Sequence, residues 1–359
     1  MMAVASYAME VTGVTNVDTA TLTVTETQTS VIPVTSYMEI RITIIALALY
    51  ALTGILIIAC NTLNLYILRK PLECFSDNTR FFLRALAAVD LLTGLVCCPT
   101  EMILAVYGSW PLGDVTCDIV AIVYTMVCCQ ALLCLCCVSV DRFLTIVKPL
   151  HYPTIMTPMR ARLFLASALV VGALASLVML VARELPSPES SGQKLCALLY
   201  LDSPVAIKPV LVIVFVSFFV PASVLLFVNI RLMVITIQKT RELADMSPTA
   251  VRYTTDRLKG VRTILVLTSA FFVTWLPVIV TIICKVVFNV HIPPALGSLV
   301  SVPALCNSWV NAVIYLFMSR SYRRAIVKEI QKCFKRRHEK WVTNGSLGAS
   351  AALNSEAIL

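Results

Sequence analysis

The sequence has 359 residues, is 58% hydrophobic and 14% charged, and carries a formal net charge of +9. Soluble domains run nearer half apolar and a quarter charged, so this composition argues against a soluble globular protein. The apolar residues come in blocks near or above the roughly 20 residues that a helix needs to cross a bilayer, which leaves little chain for a soluble domain.

Residues 1–41 are rich in Thr and Val, with Thr19, Thr21, Thr23, Thr25, Thr27 and Thr29 at alternating positions. They read as a disordered extracellular tail whose composition also suits O-glycosylation. No basic start leads into an apolar run, so the first span is expected to act as the insertion signal. The tail holds no Asn-x-Ser/Thr acceptor; Asn344-Gly345-Ser346 matches, but on the side expected to face the cytosol.

Residues 42–318 predict an all-α membrane protein, a seven-transmembrane helix bundle. Its spans fall at about 42–68, 79–107, 115–147, 160–183, 205–238, 257–287 and 295–317. Backbone polar groups must be satisfied inside lipid, so each span is a helix. The short alternating strands of a β-barrel are absent from the pattern. Basic residues crowd the links after spans 1, 3 and 5 (Arg69, Lys70, Lys148, Arg160, Lys239, Arg241) and the segment after span 7. That bias puts the N-terminus outside and the C-terminus in the cytoplasm. The positive charge is then a topology signal spread over many segments, unlike the single basic face of a nucleic-acid binder. Residues 319–334 set Tyr322, Ala325, Ile326, Ile330 and Cys333 among basic residues, as in an amphipathic helix lying on anionic membrane lipids. Cys333 is a palmitoylation candidate. Residues 335–359 read as a cytoplasmic tail.

Polar groups inside spans are costly and default to a functional role. Asp90 sits mid-way along span 2, and Asp141-Arg142-Phe143 closes span 3. Asn61 and Asn64 lie in span 1, and Asn307, Ser308 and Asn311 in span 7. One acid with amides on other helices implies a single polar centre, able to hold a cation or to tie the helices together. The cysteines of span 3 (Cys128, Cys129, Cys134, Cys136, Cys137) have no histidine beside them, so they read as small apolar residues and no metal site is expected.

These residues carry a resemblance. Asn61, the Leu86-Ala87-x-x-Asp90 run, Trp110 upstream of Cys117, Asp141-Arg142-Phe143 ahead of Lys148-Pro149-Leu150-His151-Tyr152-Pro153, Pro221, Phe271-x-x-Thr274-Trp275-x-Pro277, Asn311-x-x-x-Tyr315 and Tyr322-Arg323 occur in order over residues 42–334. Together they resemble the rhodopsin-like family of G-protein-coupled receptors. The resemblance implies a non-enzymatic plasma-membrane protein with three partners: an extracellular ligand, a heterotrimeric G protein and the surrounding lipid. It implies a disulfide between Cys117 and Cys196. It implies activation and coupling roles for Asp141, Arg142, Phe143, Arg257, Asn311 and Tyr315. It implies a sodium ion near Asp90, Asn61, Asn307 and Ser308 as the one candidate cofactor. Trp275 resembles the rotamer-sensing residue under the ligand pocket, and Pro277 is expected to kink span 6.

The departures from the family pattern are equally specific. Ala312 stands for the Pro of span 7, Asn229 for an inward Tyr of span 5, Leu169 for the Trp of span 4, and Ala131 for a sodium-binding Ser. Arg257 stands where many members place an acid opposite the Arg of span 3.

The ligand is read mainly by exclusion. Amine receptors of the family carry an Asp seven residues after the span 3 Cys, where this chain has Tyr124; opsins carry a Lys where it has Leu305. The expected pocket is apolar, lined by Cys128, Trp275, Val278 and Ile279, with Tyr124, Thr125, Ser217 and Ser301 as neutral polar groups. Glu101 is the exception: it either faces the cavity, where it would receive a cationic ligand, or reaches the outer interface. The alternatives to a receptor with an apolar pocket are therefore an amine-like receptor using Glu101 as counter-ion, and a transporter or channel. A transporter would favour internal repeats and helices broken by Gly or Pro pairs, and the sequence has no repeat and only 11 Gly.

Overall fold

The computed structural model describes residues 34–72, 75–107, 110–183, 215–242, 248–288, 290, 294–332 and 334–335. The chain divides into two compact units, Met1–Met38 and Glu39–Leu359; of the first, only the opening turn of span 1 is described. The spans are helical throughout: span 1 Val34–Ile67, span 2 Asp77–Tyr107, span 3 Asp114–Val147, span 4 Pro158–Arg183, span 5 Val220–Glu242 with a preceding turn, span 6 Pro248–Phe288 and span 7 Pro294–Met318. Seven of the described helices are long and apolar enough to cross a membrane. Span 1 starts upstream of the expected residue 42, and residues 205–214, expected to open span 5, lie outside the described residues.

Two spans are not regular. Span 2 contains a π turn at Thr93–Cys97, and span 5 begins with one at Phe215–Phe219. Each ends two residues before a proline, Pro99 and Pro221. Proline has no N–H to donate four residues back, and its ring clashes with that carbonyl. A wider π turn just upstream relieves the clash and adds a residue to the winding. Everything beyond it is rotated by about 100°. The π turn in span 2 therefore sets which side of the bundle Glu101 meets.

Span 3 is the axis of the bundle and the most buried of the seven spans. Leu132, Leu135 and Val138 pack there with Phe82 and Leu86 of span 2 and with Phe271 of span 6. Lipid tails are as apolar as leucine, so helix association rests on close fit and buried hydrogen bonds. Two glycines show this. A Cβ on Gly94 would come within 2.7 Å of Ile57 Cγ2 and 3.1 Å of its Cβ, so spans 1 and 2 touch through that glycine. A Cβ on Gly172 would lie 2.3 Å from Gln130 Nε2, which donates to the Ala168 carbonyl at 2.6 Å and ties span 3 to span 4 beside the exposed Leu169. The β-branched Ile57 cannot swing aside, whereas the Gln130 amide can. Gly94→Ala is expected to destabilise the detergent-solubilised protein by about 1–3 kcal/mol. Gly172→Ala should cost less, and thermal melting of the two variants checks the order.

Residues 320–332 form a further helix, opened by Ser319, whose Oγ accepts from the Tyr322 backbone N–H at 3.2 Å. It is tied to span 1 at two points. The buried Tyr322 hydroxyl donates to Asn64 Oδ1 at 2.6 Å, and the Tyr66 hydroxyl donates to Glu329 Oε2 at 2.6 Å. The bond from Tyr66, with Lys332 and Lys70 beside it, holds the Glu329 carboxyl down at about 2. Cys333 and most of the expected tails lie outside the described residues.

Candidate functional site

Three polar groupings lie along the bundle. The first is at the inner-core end of span 3. Asp141 is fully buried and collects three donors from three elements. The Thr79 hydroxyl of span 2 bonds to Oδ2, the Tyr152 hydroxyl to Oδ1 at 2.6 Å, and Arg142 Nη2 to Oδ2 at 3.2 Å. Tyr152 belongs to a short helix, Tyr152–Ile155, in the link to span 4, and Asn78 Nδ2 pins that link through the Met156 carbonyl at 2.7 Å. Burial, and then the Asp141 carboxylate, push the Tyr152 phenol above its usual range, so it stays a donor. Arg142 also donates to Ser76 Oγ at 2.9 Å, and its guanidinium sits 6.0 Å over the Phe75 ring. The arginine is thus drawn toward the start of span 2. Phe143 and Ile146 pack with Leu232 of span 5 and Val261 of span 6. The Asn229 amide bonds its own Leu225 carbonyl at 2.7 Å.

The second grouping is the polar centre. Asn311 Nδ2 donates to Asp90 Oδ2 at 2.9 Å. Asn61 Nδ2 bonds the Ser308 carbonyl at 2.9 Å, and Asn64 reaches Asn61 at 3.4 Å. Asp90, Asn61, Asn307, Ser308 and Asn311 are all buried. Asp90 Oδ1, Asn307 Oδ1 and Asn311 Oδ1 have no hydrogen-bond donor. Below them an aromatic series runs from Tyr322 to Tyr315 to Phe75, with centroid separations of 5.7 and 6.3 Å, and so reaches the ring under Arg142.

The third grouping surrounds Glu101. Its side chain is 2% exposed, which places it among the helices and not at an interface. The Tyr124 hydroxyl of span 3 donates to Oε1 at 2.8 Å. Tyr50 of span 1 approaches Oε2 at 3.3 Å and Ser301 of span 7 at 3.5 Å. Tyr50 also bonds the Ser298 carbonyl and lies 2.7 Å from Ser301 Oγ. Thr125 and Val278 are buried, and Cys128 and Ile279 partly so. Trp275 is stacked on Phe271 at 5.6 Å, with Phe218, from the π turn of span 5, 5.5 Å away. Span 6 remains helical through Pro277.

Sequence reasoning missed Tyr50, Ser76, Thr79 and the contact of Tyr152. Tyr50 was findable: it lies eleven residues before Asn61, within about 20° on a helix, so it shares the face that Asn61 marks. Ser76 and Thr79 carried only the ordinary signature of a helix start, and Ser76 does cap span 2. Cys117 is disulfide-bonded. Its expected partner Cys196 and the side chains of Ser217 and Arg257 lie outside the described residues.

Comparison with known proteins agrees with this arrangement. Residues 60–315 match the 7 transmembrane receptor (rhodopsin family). The chain is 31% identical over 281 residues to 5-hydroxytryptamine receptor 6 of Mus musculus, covering 70% of this chain and 62% of that relative. It is 25% identical over 294 residues to trace amine-associated receptor 5 of Mus musculus, covering 76% and 81%. It is 26% identical over 290 residues to trace amine-associated receptor 9 of Rattus norvegicus, covering 78% and 83%. The chain thus spans a little over three fifths of the serotonin-receptor relative and most of the trace-amine ones. A bundle of seven apolar helices with a polar centre and a buried Asp-Arg pair, matched over the greater part of its length, makes this chain a member of the rhodopsin family of seven-transmembrane receptors.

Proposed function

We propose that the chain is a plasma-membrane receptor, N-terminus outside and C-terminus in the cytoplasm, that converts binding of an extracellular organic amine into activation of a heterotrimeric G protein. The observation that carries this reading is the sequence of buried polar groups from Glu101 through Asp90 to Arg142. A ligand near Glu101 touches spans 1, 2, 3 and 7, and the Asp90 and Arg142 groupings join the same spans nearer the G protein. The similarity to receptors named for 5-hydroxytryptamine and trace amines supports the amine class.

In mechanism, a ligand shifts a two-state equilibrium by its differential affinity for the two states. Trp275, stacked on Phe271 and Phe218, is placed to feel the bound ligand and to swing the cytoplasmic part of span 6, which precedes Pro277, outward. Release of Arg142 from Asp141 and Ser76 then frees it for the G protein. The test is G-protein activation in cells at matched surface expression, with and without a panel of biogenic amines. Activation supports the reading; solute flux in proteoliposomes without G-protein turnover contradicts it.

Asp90 Oδ1, Asn307 Oδ1 and Asn311 Oδ1 are buried acceptors without a donor, and carboxylate and carbonyl oxygens suit a hard cation. Asp90, Asn307 and Asn311 would hold a sodium ion there, and Ala131 contributes no hydroxyl. Sodium is therefore expected to shift agonist affinity weakly in the wild type and more strongly in Ala131→Ser. Equal shifts in agonist competition curves would contradict this.

A further inference from the structure

The link between spans 1 and 2 carries a buried aromatic residue. Phe75 is 5% exposed and belongs to the same apolar cluster as Leu72, Phe82 and Tyr315. The chain around it is fastened. The Phe75 N–H donates to the Leu72 carbonyl at 3.1 Å, Arg80 Nη1 donates to the Lys70 carbonyl at 2.6 Å, and the Ser76 side chain caps span 2. Two consecutive residues of this link meet Arg142: the guanidinium lies 6.0 Å over the Phe75 ring and donates to Ser76 Oγ at 2.9 Å. The bonds from Arg142 to Ser76 and to Asp141 both leave from Nη2. They fix one end of the guanidinium, and the ring beneath it fixes the plane, since a guanidinium is flat and stacks on aromatic faces. Phe75 also meets Tyr315 of span 7, with ring centroids 6.3 Å apart and planes at 77°.

We propose that Phe75 is a positioning residue for Arg142: its ring seats the guanidinium in the resting protein, and Tyr315 of span 7 holds that ring in place. This deepens the receptor reading and rests on it. A cation over an aromatic face is attracted by the ring's quadrupole, and more strongly where water is excluded. Phe75 and Arg142 are each 5% exposed, so water is largely excluded here. Leucine at position 75 would keep much of the apolar contact but would offer no such face. An Arg142 released toward a G protein leaves the ring, so the contact favours the resting state. Tyr315 gives the seat a second input. A rotation of span 7 that withdraws Tyr315 deprives Phe75 of its edge-to-face partner and loosens the seat. Movement of span 7 thereby reaches Arg142 through the link between spans 1 and 2.

The experiment places a ring-fluorinated phenylalanine at position 75 by nonsense suppression. Fluorination keeps nearly the same shape and apolar contact, but it drains negative potential from the ring face and with it the attraction for a cation. Ligand-free G-protein activation at matched surface expression is expected to rise about three- to tenfold. Phe75→Leu should raise it at least as much, and Phe75→Tyr, which keeps an aromatic face, should raise it less than Phe75→Leu. Thermal melting of the purified protein separates the cation contact from packing. Fluorination should lower the melting temperature of the wild type and leave that of Arg142→Ala unchanged. In a Tyr315→Leu background it should lower the melting temperature less, because the seat is already loose. The proposal is overturned if fluorination leaves ligand-free activation unchanged, or if it lowers the melting temperature equally with and without Arg142. An undiminished effect in Tyr315→Leu overturns the part given to Tyr315. In each of these cases, wild-type activation that Arg142→Ala abolishes leaves the receptor reading standing. A wild type that activates no G protein, with or without amines, overturns the receptor reading and the proposal with it.

Discussion

Asp141→Asn is expected to raise ligand-free G-protein turnover, and Arg142→Ala to abolish coupling. Asp141 is the acceptor at which spans 2 and 3 and the link helix meet, through Thr79, Arg142 and Tyr152. It is fully buried and Arg142 is nearly so. Removing one partner of a buried ion pair typically costs about 3–5 kcal/mol, because the remaining charge is left uncompensated. Here the arginine can escape part of that cost by leaving its place over Phe75 and beside Ser76, which is the motion that the proposed activation calls for. If about 1.4 kcal/mol of the penalty falls on the resting state alone, the active fraction rises roughly tenfold. Tyr152→Phe removes one hydrogen bond and leaves the charge pair, so its effect should be smaller, near the about 1 kcal/mol net worth of one bond. G-protein activation at matched surface expression checks the order Asp141→Asn above Tyr152→Phe above wild type. Unchanged turnover in Asp141→Asn would mean that the Asp141 network does not hold the resting state.

Arg257→Glu is expected to lower ligand-free turnover by up to about tenfold, a shift of roughly 1.4 kcal/mol. Arg257 lies four residues, about one turn, before Val261, which is buried against Ile146 of span 3 and Leu232 of span 5. That register puts position 257 on the side of span 6 that meets span 3, the span that carries Arg142. Two arginines on facing helices repel, whereas an acid at 257 attracts Arg142. Losing an exposed ion pair matters little, but Arg142 is buried, so the change of sign acts at lower dielectric. Asn229, in place of a longer inward side chain, works the other way: its amide is spent on Leu225, so span 5 offers it no reach toward an active-state Arg142. Basal activity in Arg257→Glu equal to or above wild type would remove the broken-lock account.

What the sequence revealed, and what it hid, follows from range. Polar residues inside apolar runs announce themselves one at a time, so Asp90, Asn61, Asn311 and the Asp141–Arg142 pair were legible as unusual positions; in the structure Asn311 meets Asp90, and Arg142 meets Asp141. The helices were legible because lipid admits no other backbone. The two π turns were not, since Pro99 and Pro221 mark a disturbance without saying on which side it is absorbed. That matters for Glu101: the sequence does not distinguish a cavity-facing from an interface-facing side chain, and the re-wound end of span 2 turns it toward Tyr124. The partners of Glu101 come from spans 1, 3 and 7, and contacts across 23, 51 and 200 residues leave no local trace. Tyr322 shows the same limit. Its position was recognised as the start of the surface helix, but its hydroxyl finds Asn64 only because span 1 and that helix lie side by side.

The proposed function requires this bundle to catalyse nucleotide exchange on a G protein through Arg142. The direct measurement is the exchange rate on purified heterotrimeric G proteins of several classes, mixed with the receptor in lipid nanodiscs. For at least one class, the wild type should exceed empty nanodiscs without ligand, rise further with a primary amine, and fall to the empty-disc rate in Arg142→Ala. Wild type and Arg142→Ala indistinguishable from each other with every class, with and without amine, would contradict the account.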